Sequence, residues 1–153
     1  MSMHFFISIF CIGILPPLGY AILFHVPKRL LFPSMCVGFI CNIAYQAAAY
    51  YGASRTFACF TGACMVGFLA YFMARGLHEA STVFILPGIM PLVPGAYIYY
   101  TMTYLIKGAY SSAAASLGTT LLLAGATALG LLFSGSVLRI VTSLKRKVMS
   151  LND

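Results

Sequence analysis

The chain has 153 residues and a net charge of +7, with nine basic and only two acidic residues. Charged residues make up 7% of it and hydrophobic residues 61%, whereas soluble domains carry about 25% charged residues. This composition excludes a water-soluble domain, whose exposed apolar patches reach roughly a few hundred Å², and also a disordered chain.

The charged residues divide the chain into five uncharged stretches, and each stretch suits one helical crossing of a bilayer. A membrane-spanning helix needs about 20 apolar residues, and the alternating runs of about 10 residues typical of transmembrane strands are absent. We therefore predict an all-α integral membrane protein with five transmembrane helices in a single membrane domain, residues 1–153. The predicted spans are approximately 3–24, 32–52, 56–74, 82–105 and 111–136.

The basic residues fall unequally on the two sides that alternating spans create. One side receives Lys28, Arg29, Arg75, Arg139, Lys145, Arg146 and Lys147, and the other receives Arg55 and Lys107. The positive-inside rule then predicts an outside N-terminus and a cytoplasmic C-terminus. Because the positive charge follows membrane topology, it does not indicate binding to nucleic acid.

The first span lacks the basic segment and the cleavage site of a secretory signal, so we expect it to remain as an uncleaved helix. The second span holds a polar cluster, because Asn42, Tyr45 and Gln46 share one helix face. These side chains either bond to neighbouring helices or line a substrate route. No Asp, Glu, Lys or Arg lies inside a predicted span, although proton-coupled carriers usually place an ionisable residue there.

The five cysteines, at positions 11, 36, 41, 59 and 64, all lie within predicted spans. An odd number at membrane depth argues against a disulfide framework. Cys36 and Cys41 share their spacing with Cys59 and Cys64, but residues five apart on a helix point about 140° away from each other. We interpret the cysteines as packing residues and predict no metal site.

The fourth span contains three prolines and two glycines between Leu86 and Gly95. Each interior proline removes a backbone hydrogen bond, and the freed carbonyls need a neighbouring helix or a water-filled cavity. We predict a broken helix here rather than a merely kinked one, because discontinuous helices form the substrate sites of many secondary transporters. The candidate substrate-pathway residues are Pro87, Gly88, Pro91, Pro94, Gly95, Tyr97, Tyr100, Asn42, Tyr45 and Gln46.

Two further patterns concern the surfaces of the last spans. Tyr97, Tyr100 and Tyr104 share a face just beyond the break, where they either line the pathway or anchor the helix at the interface. The fifth span carries small residues four apart, which favour close helix packing within the chain or against another subunit. These pairs are Ala114 with Gly118 and Ala124 with Ala128. The spacing of Arg75 and Glu79 also allows an ion pair.

Two segments resemble the small subunits of the threonine/serine exporter family. Residues 14–29, ILPPLGYAILFHVPKR, resemble their first span and basic loop, and residues 87–95, ending in PLVPG, resemble their most distinctive motif. The resemblance implies export of small polar metabolites, such as threonine and serine or dicarboxylates like succinate. It also implies a bacterial inner membrane location and, in the split form of the family, a larger five-span partner subunit.

The chain departs from this family in its second span, where members often carry a basic residue and residues 42–46 hold none. Recognition of a substrate carboxylate would then fall to half-helix dipoles near Gly88 and Gly95, or to charge supplied by the partner. Self-association in place of the partner stays open.

We predict a transport subunit without a cofactor, and the alternative is a non-transporting assembly subunit of a membrane complex. An enzyme is disfavoured, because paired carboxylates, a Cys–His pair and a metal-ligand cluster are all missing from the predicted spans.

Overall fold

In this computed structural model the backbone is described for residues 2–149 and the side chains for residues 13–144. Asp153 and the side chains of Cys11, Lys145, Arg146 and Lys147 lie outside these ranges. Within them every regular element is a helix, which confirms the all-α prediction. The helices are α1 (Ser2–Leu23), α2 (Lys28–Tyr50), α3 (Arg55–Leu77), α4 (Thr82–Ile89), α5 (Gly95–Ile106) and α6 (Tyr110–Met149), with a 3-10 turn at Met90–Leu92.

Three helices, α2, α3 and α6, are each long and apolar enough to cross a membrane. The segments Thr82–Leu92 and Gly95–Ile106 meet the same requirement as a pair bent by 51°, which raises the number to four. Of α1, the apolar part whose side chains are described is Gly13–Leu23. The count of five spans and their orientation therefore stay predictions.

Close glycine contacts show how the helices run relative to one another. A Cβ on Gly38 would lie 2.4 Å from Cγ of Pro17, and a Cβ on Gly13 would lie 2.9 Å from Nδ2 of Asn42. Because the residue number rises along α1 while it falls along α2, these two helices pack closely in antiparallel directions. In contrast, α3 and α6 run parallel, because Gly67 lies against Ser134 and Gly130 lies against Ala63. The buried core occupies the space between α2, α3 and α4. It consists of Leu30, Val37, Cys41, Ala63, Val66, Ala70, Ala74, Phe84 and Leu92.

The 40-residue helix α6 buries one face and exposes the other. Apart from the adjacent pair Ala126 and Thr127, its buried residues recur every three or four positions, as expected for one face of a helix. They are Ala113, Ser116, Thr120, Leu123, Ala126, Thr127, Gly130, Ser134 and Leu138. The small residues singled out above, Ala114, Gly118, Ala124 and Ala128, are all exposed. They are not buried within the chain, and packing against another subunit stays a prediction.

The basic end of the bundle, defined by Arg29, Arg75, Glu79 and Arg139, corrects one detail of the sequence interpretation. Glu79 pairs with Arg29 instead of Arg75. Helix α3 ends at Leu77 and His78 adopts a left-handed conformation with φ 54°, so the helical i, i+4 geometry does not reach Glu79. Arg75 instead lies over the ring of Tyr71, with its Cζ 5.2 Å from the ring centroid.

Candidate functional site

The predicted break in the fourth span is present between Ile89 and Gly95. Three prolines at positions 87, 91 and 94 supply no backbone N–H, so the carbonyls of Val83, Pro87 and Met90 lose their α-helical donors. The chain crosses the break on short-range bonds, in which Val93 N donates to Met90 O at 3.2 Å and Gly95 N donates to Val93 O at 2.8 Å. The backbone at the break is thus irregular while lying inside a helical bundle.

Helix α4, the half before the break, is fixed by close packing. Gly88 is buried, and a Cβ placed on it would lie 2.9 Å from Cγ1 of Val37 and 3.2 Å from Cγ1 of Val66. Pro87 is also fully buried. The absence of a side chain at Gly88 therefore lets α4 touch α2 and α3 at once.

The 3-10 turn that follows α4 also packs against α3. Leu92 is 5% exposed, and both of its Cδ atoms lie 3.2 Å from the position of a Cβ on Gly62. Pro91 and Pro94, on either side of it, are partly buried. Leu92 thus anchors the break on α3.

Helix α5, the half after the break, is much more open. Gly95 has no atom within 4 Å of its Cβ position, and Thr101 is the one buried residue of this helix. Of the phenols predicted to share a face, Tyr100 is 49% exposed and contacts the ring of Tyr99. Tyr97 alone of the predicted α5 residues turns partly inward.

Tyr97 lies near the end of the bundle opposite Arg29, and there it accepts a hydrogen bond from the guanidinium group of an arginine. Nη1 of Arg55, the first residue of α3, donates to Oη of Tyr97. Ser116 on α6 also donates to the carbonyl of Tyr97 at 3.1 Å. Among the described residues the one ion pair joins Arg29 and Glu79, so Arg55 carries its charge without a carboxylate partner from this part of the chain.

The polar cluster of the second span is divided by the structure. Tyr45 packs with Tyr97 against a small cluster around Cys59 and lies within electrostatic range of Arg55. Asn42 is buried on the α1 side, where its Nδ2 lies 2.9 Å from the position of a Cβ on Gly13. Gln46 is partly buried. Tyr45 thus joins Tyr97 of α5 at this cluster.

Two cavities flank α4 at the basic end. The larger, about 320 Å³, lies between α3, the start of α4 and α6, and Arg139 lines it. The smaller, about 150 Å³, lies on the side of the α1–α2 connection and is lined by His25 and Pro87 among others. The first half of the broken span therefore borders open space on two sides.

Sequence reasoning did not assign Arg55 and Arg139 to the site. Both were interpreted as loop or terminal charges that set topology. One signal for Arg55 was available, because it is the first charge after the polar cluster of the second span. For Arg139 no local signal existed, since the cavity is formed by helices distant in sequence. No group of three or more His, Cys, Asp or Glu residues among those described is placed to hold a metal ion.

Comparison with known proteins identifies the family. Residues 6–137 match the family model described as Threonine/Serine exporter, ThrE, which covers most of the chain. No solved structure matches the chain. The chain therefore belongs to the threonine/serine exporter family and is a multi-pass membrane protein of an exporter type.

Proposed function

We propose that this member of the threonine/serine exporter family is one subunit of a two-subunit exporter in the bacterial inner membrane. Its substrates are small polar metabolites, either amino acids such as threonine and serine or dicarboxylates such as succinate. Its partner is a larger membrane subunit of the same family.

The observation that carries this proposal is the irregular backbone between Ile89 and Gly95, within which Leu92 is buried against α3. Non-helical backbone at membrane depth is tolerated where it is buried in protein or lines a water-filled cavity, and such breaks hold substrate in many carriers. On this proposal the substrate passes along the fourth span, with Tyr97, Tyr45 and Arg55 at one end.

Arg55 gives the proposal a source of charge that the second span lacks. A guanidinium group binds a carboxylate through two parallel hydrogen bonds, and in this structure the guanidinium group of Arg55 donates a hydrogen bond to Tyr97. A metabolite carboxylate would displace the phenol from Arg55 and leave Tyr97 free to bond a substrate hydroxyl.

The partner subunit is proposed to cover the exposed small-residue face of α6. Gly118 and Gly125 have no atom within 4 Å of their Cβ positions, so another helix can approach the backbone there. A second copy of this chain is the alternative occupant of that face.

The test is reconstitution of L-threonine, L-serine and succinate efflux in liposomes that contain this chain, the larger subunit, or both. We expect efflux when both are present and a rate near that of protein-free liposomes for either one alone. A larger subunit that exports at the full rate alone would contradict the proposal and favour a non-transporting assembly subunit.

A further inference from the structure

The 320 Å³ cavity between α3, the start of α4 and α6 opens on the outer surface of the bundle. Gly135 and Arg139 line it, and both are exposed. Leu132, which is 66% exposed, lies on almost the same face of α6 as Arg139, nearly two helical turns before it. The surface beside the opening is therefore apolar, so a lipid that lies along α6 can reach into the cavity from the side.

The lining of the cavity changes from polar to apolar along the helix axes. The residues nearest the basic end are Ser81, Arg139 and Thr142, and those nearer the middle of the bundle are Gly67, Ile85 and Leu131. Ser134 also lies in the deeper part, but it is 1% exposed and donates its hydrogen to the carbonyl of Leu131 at 2.8 Å. The deeper part thus presents an apolar surface to a ligand, whereas the part at the basic end presents a guanidinium group and hydroxyls.

Positive charge at the basic end is only partly neutralised by the described side chains. Among residues 13–144 Glu79 is the one carboxylate, and it pairs with Arg29. The guanidinium of Arg139 therefore has no carboxylate partner in this part of the chain. Arg75 adds a second positive charge, because its Cζ lies 5.2 Å from the ring centroid of Tyr71, which also lines the cavity. An anionic ligand would complement this field.

The depth of Arg139 in the bilayer matches the level of lipid phosphates. Helix α6 begins at Tyr110, an exposed tyrosine of the kind enriched at membrane interfaces. Arg139 lies roughly 43 Å further along the helix at a rise of about 1.5 Å per residue, and a bilayer with its headgroups is about 40–45 Å thick. With Tyr110 at one interface and α6 near the bilayer normal, Arg139 lies among the headgroups of the opposite leaflet, which we predict to be the cytoplasmic one.

We infer that this cavity binds one anionic phospholipid, such as phosphatidylglycerol, through its phosphate. Arg139 bonds to two phosphate oxygens. The hydroxyl of Ser81, which makes no cap hydrogen bond in α4, donates to an ester oxygen of the lipid. One acyl chain then lies in the deeper part, against Ile85 and Leu131. Basic pockets between membrane-spanning helices on the cytoplasmic side bind anionic headgroups.

Two features favour a lipid over a dissolved anion or a helix of another subunit. A dissolved anion would gain nothing from the apolar deeper part. The volume of about 320 Å³ lies near the lower end of ligand pockets, which measure about 300–1,000 Å³, so the cavity admits an acyl chain but not a helix about 10–12 Å across. The lipid would hold α4 against α3 and α6, because all three helices line the cavity. This inference does not rest on the proposed function.

The test is native mass spectrometry of the purified full-length chain in detergent, titrated with dioleoyl phosphatidylglycerol or with dioleoyl phosphatidylcholine. We expect the wild type to bind its first phosphatidylglycerol severalfold more tightly, because Arg75 and Arg139 repel the positive choline group. Arg139→Gln should weaken phosphatidylglycerol binding by about tenfold to a hundredfold, the effect of losing one charge-assisted contact. Gly135→Leu should weaken it as strongly, because Gly135 lines the cavity and has open space at its Cβ, so leucine takes the space of the lipid.

Two control variants should bind phosphatidylglycerol like the wild type. Lys28→Gln removes an exposed charge at the basic end, outside the lining of the cavity. Gly19→Leu places the same side chain as Gly135→Leu on α1, at another position with open space. Elution as a single symmetric peak in size-exclusion chromatography shows that each variant is folded.

Four results would overturn the inference. The first is equal affinity of the wild type for the two lipids, and the second is unchanged affinity for phosphatidylglycerol in both Arg139→Gln and Gly135→Leu. The third is displacement of phosphatidylglycerol by an equal concentration of glycerol phosphate, which would show a site for a dissolved anion. The fourth is release of the lipid when the larger subunit is added, together with weaker subunit association in Arg139→Gln, which would show that the partner occupies the cavity. Export is measured in none of these experiments, so the proposed function stands or falls separately.

Discussion

The two halves of the fourth span differ in how the rest of the chain holds them. Helix α4 buries three of its eight residues, Phe84, Pro87 and Gly88, whereas α5 buries Thr101 alone among twelve. Regions with few buried contacts open at low free energy. The comparison suggests that α4 is the fixed part of the span and that α5 is the part able to change its tilt at the break.

Leucine in place of Gly88 in α4 or of Gly95 in α5 should give the largest difference, in the yield of folded protein. Gly88→Leu forces a side chain into space already filled by Val37 and Val66, and overpacking of a core costs about 1–3 kcal/mol or more. We expect Gly88→Leu to yield little folded protein. Gly95→Leu should fold normally, because nothing lies within 4 Å of its Cβ. The measurement is the yield of monodisperse protein after detergent extraction, and equal yields would refute the contrast.

Substitution of Arg55, which bonds to Tyr97 of α5, should give the next largest effect, on efflux. Arg55→Gln removes the donor to Tyr97 and the proposed carboxylate contact, so we expect efflux to fall by about tenfold or more, with the yield of folded protein unchanged. Arg55→Lys should recover part of the loss. The matched control is Lys107→Gln, which removes an exposed charge at the end of α5. Efflux at the wild-type rate in Arg55→Gln would remove Arg55 from the pathway.

Substitution of two tyrosines of α5 tests which of them lines the pathway and which lies at the surface. We expect a smaller change in efflux here than for Arg55→Gln. Tyr97→Phe deletes the hydroxyl that Arg55 bonds, and one such hydrogen bond contributes about 1 kcal/mol. We expect efflux to change severalfold in Tyr97→Phe and not at all in Tyr100→Phe, whose side chain is 49% exposed. Equal effects would show that the two tyrosines act only as an interfacial belt.

The smallest effect is expected for Ser34 on α2, the helix that packs against α4. Ser34 lies one turn from Val37 on α2 and is fully buried, and its Oγ has no hydrogen-bond partner among the described residues. Ser34→Ala removes an unsatisfied hydroxyl, so the melting temperature should stay the same or rise slightly, by the equivalent of about 1 kcal/mol. A clear fall in melting temperature would show that the hydroxyl is used.

Local patterns in the sequence were sufficient to predict the helices and the break in the fourth span. The predicted spans 32–52 and 56–74 agree within a few residues with α2, Lys28–Tyr50, and α3, Arg55–Leu77, because charge placement and hydropathy act along the chain. Pro87, Pro91 and Pro94 also act on their own backbone. The fifth predicted span ends at 136, yet α6 continues to Met149, since no proline or glycine after Gly135 stops it.

Contacts between distant segments could not be predicted in this way. The bond from Arg55 to Tyr97 joins residues 42 positions apart, and Gly88 meets both Val37 and Val66 only once three helices are packed together. Periodicity also grouped Asn42 with Tyr45, although neighbouring helices on different sides engage them. A helix face shows which residues point together but not which helix covers them.

The central claim is that export passes through the break in the fourth span. The most direct test is efflux of L-threonine and L-serine from liposomes containing the larger subunit and the double variant Pro94→Ala/Gly95→Leu. The control is Gly19→Leu, which places the same side chain on α1 at another position with open space. Both variants must insert and bind the partner. We predict that the double variant falls toward the rate of protein-free liposomes while the control keeps the wild-type rate. Efflux at the wild-type rate from the inserted, partner-bound double variant would contradict the claim.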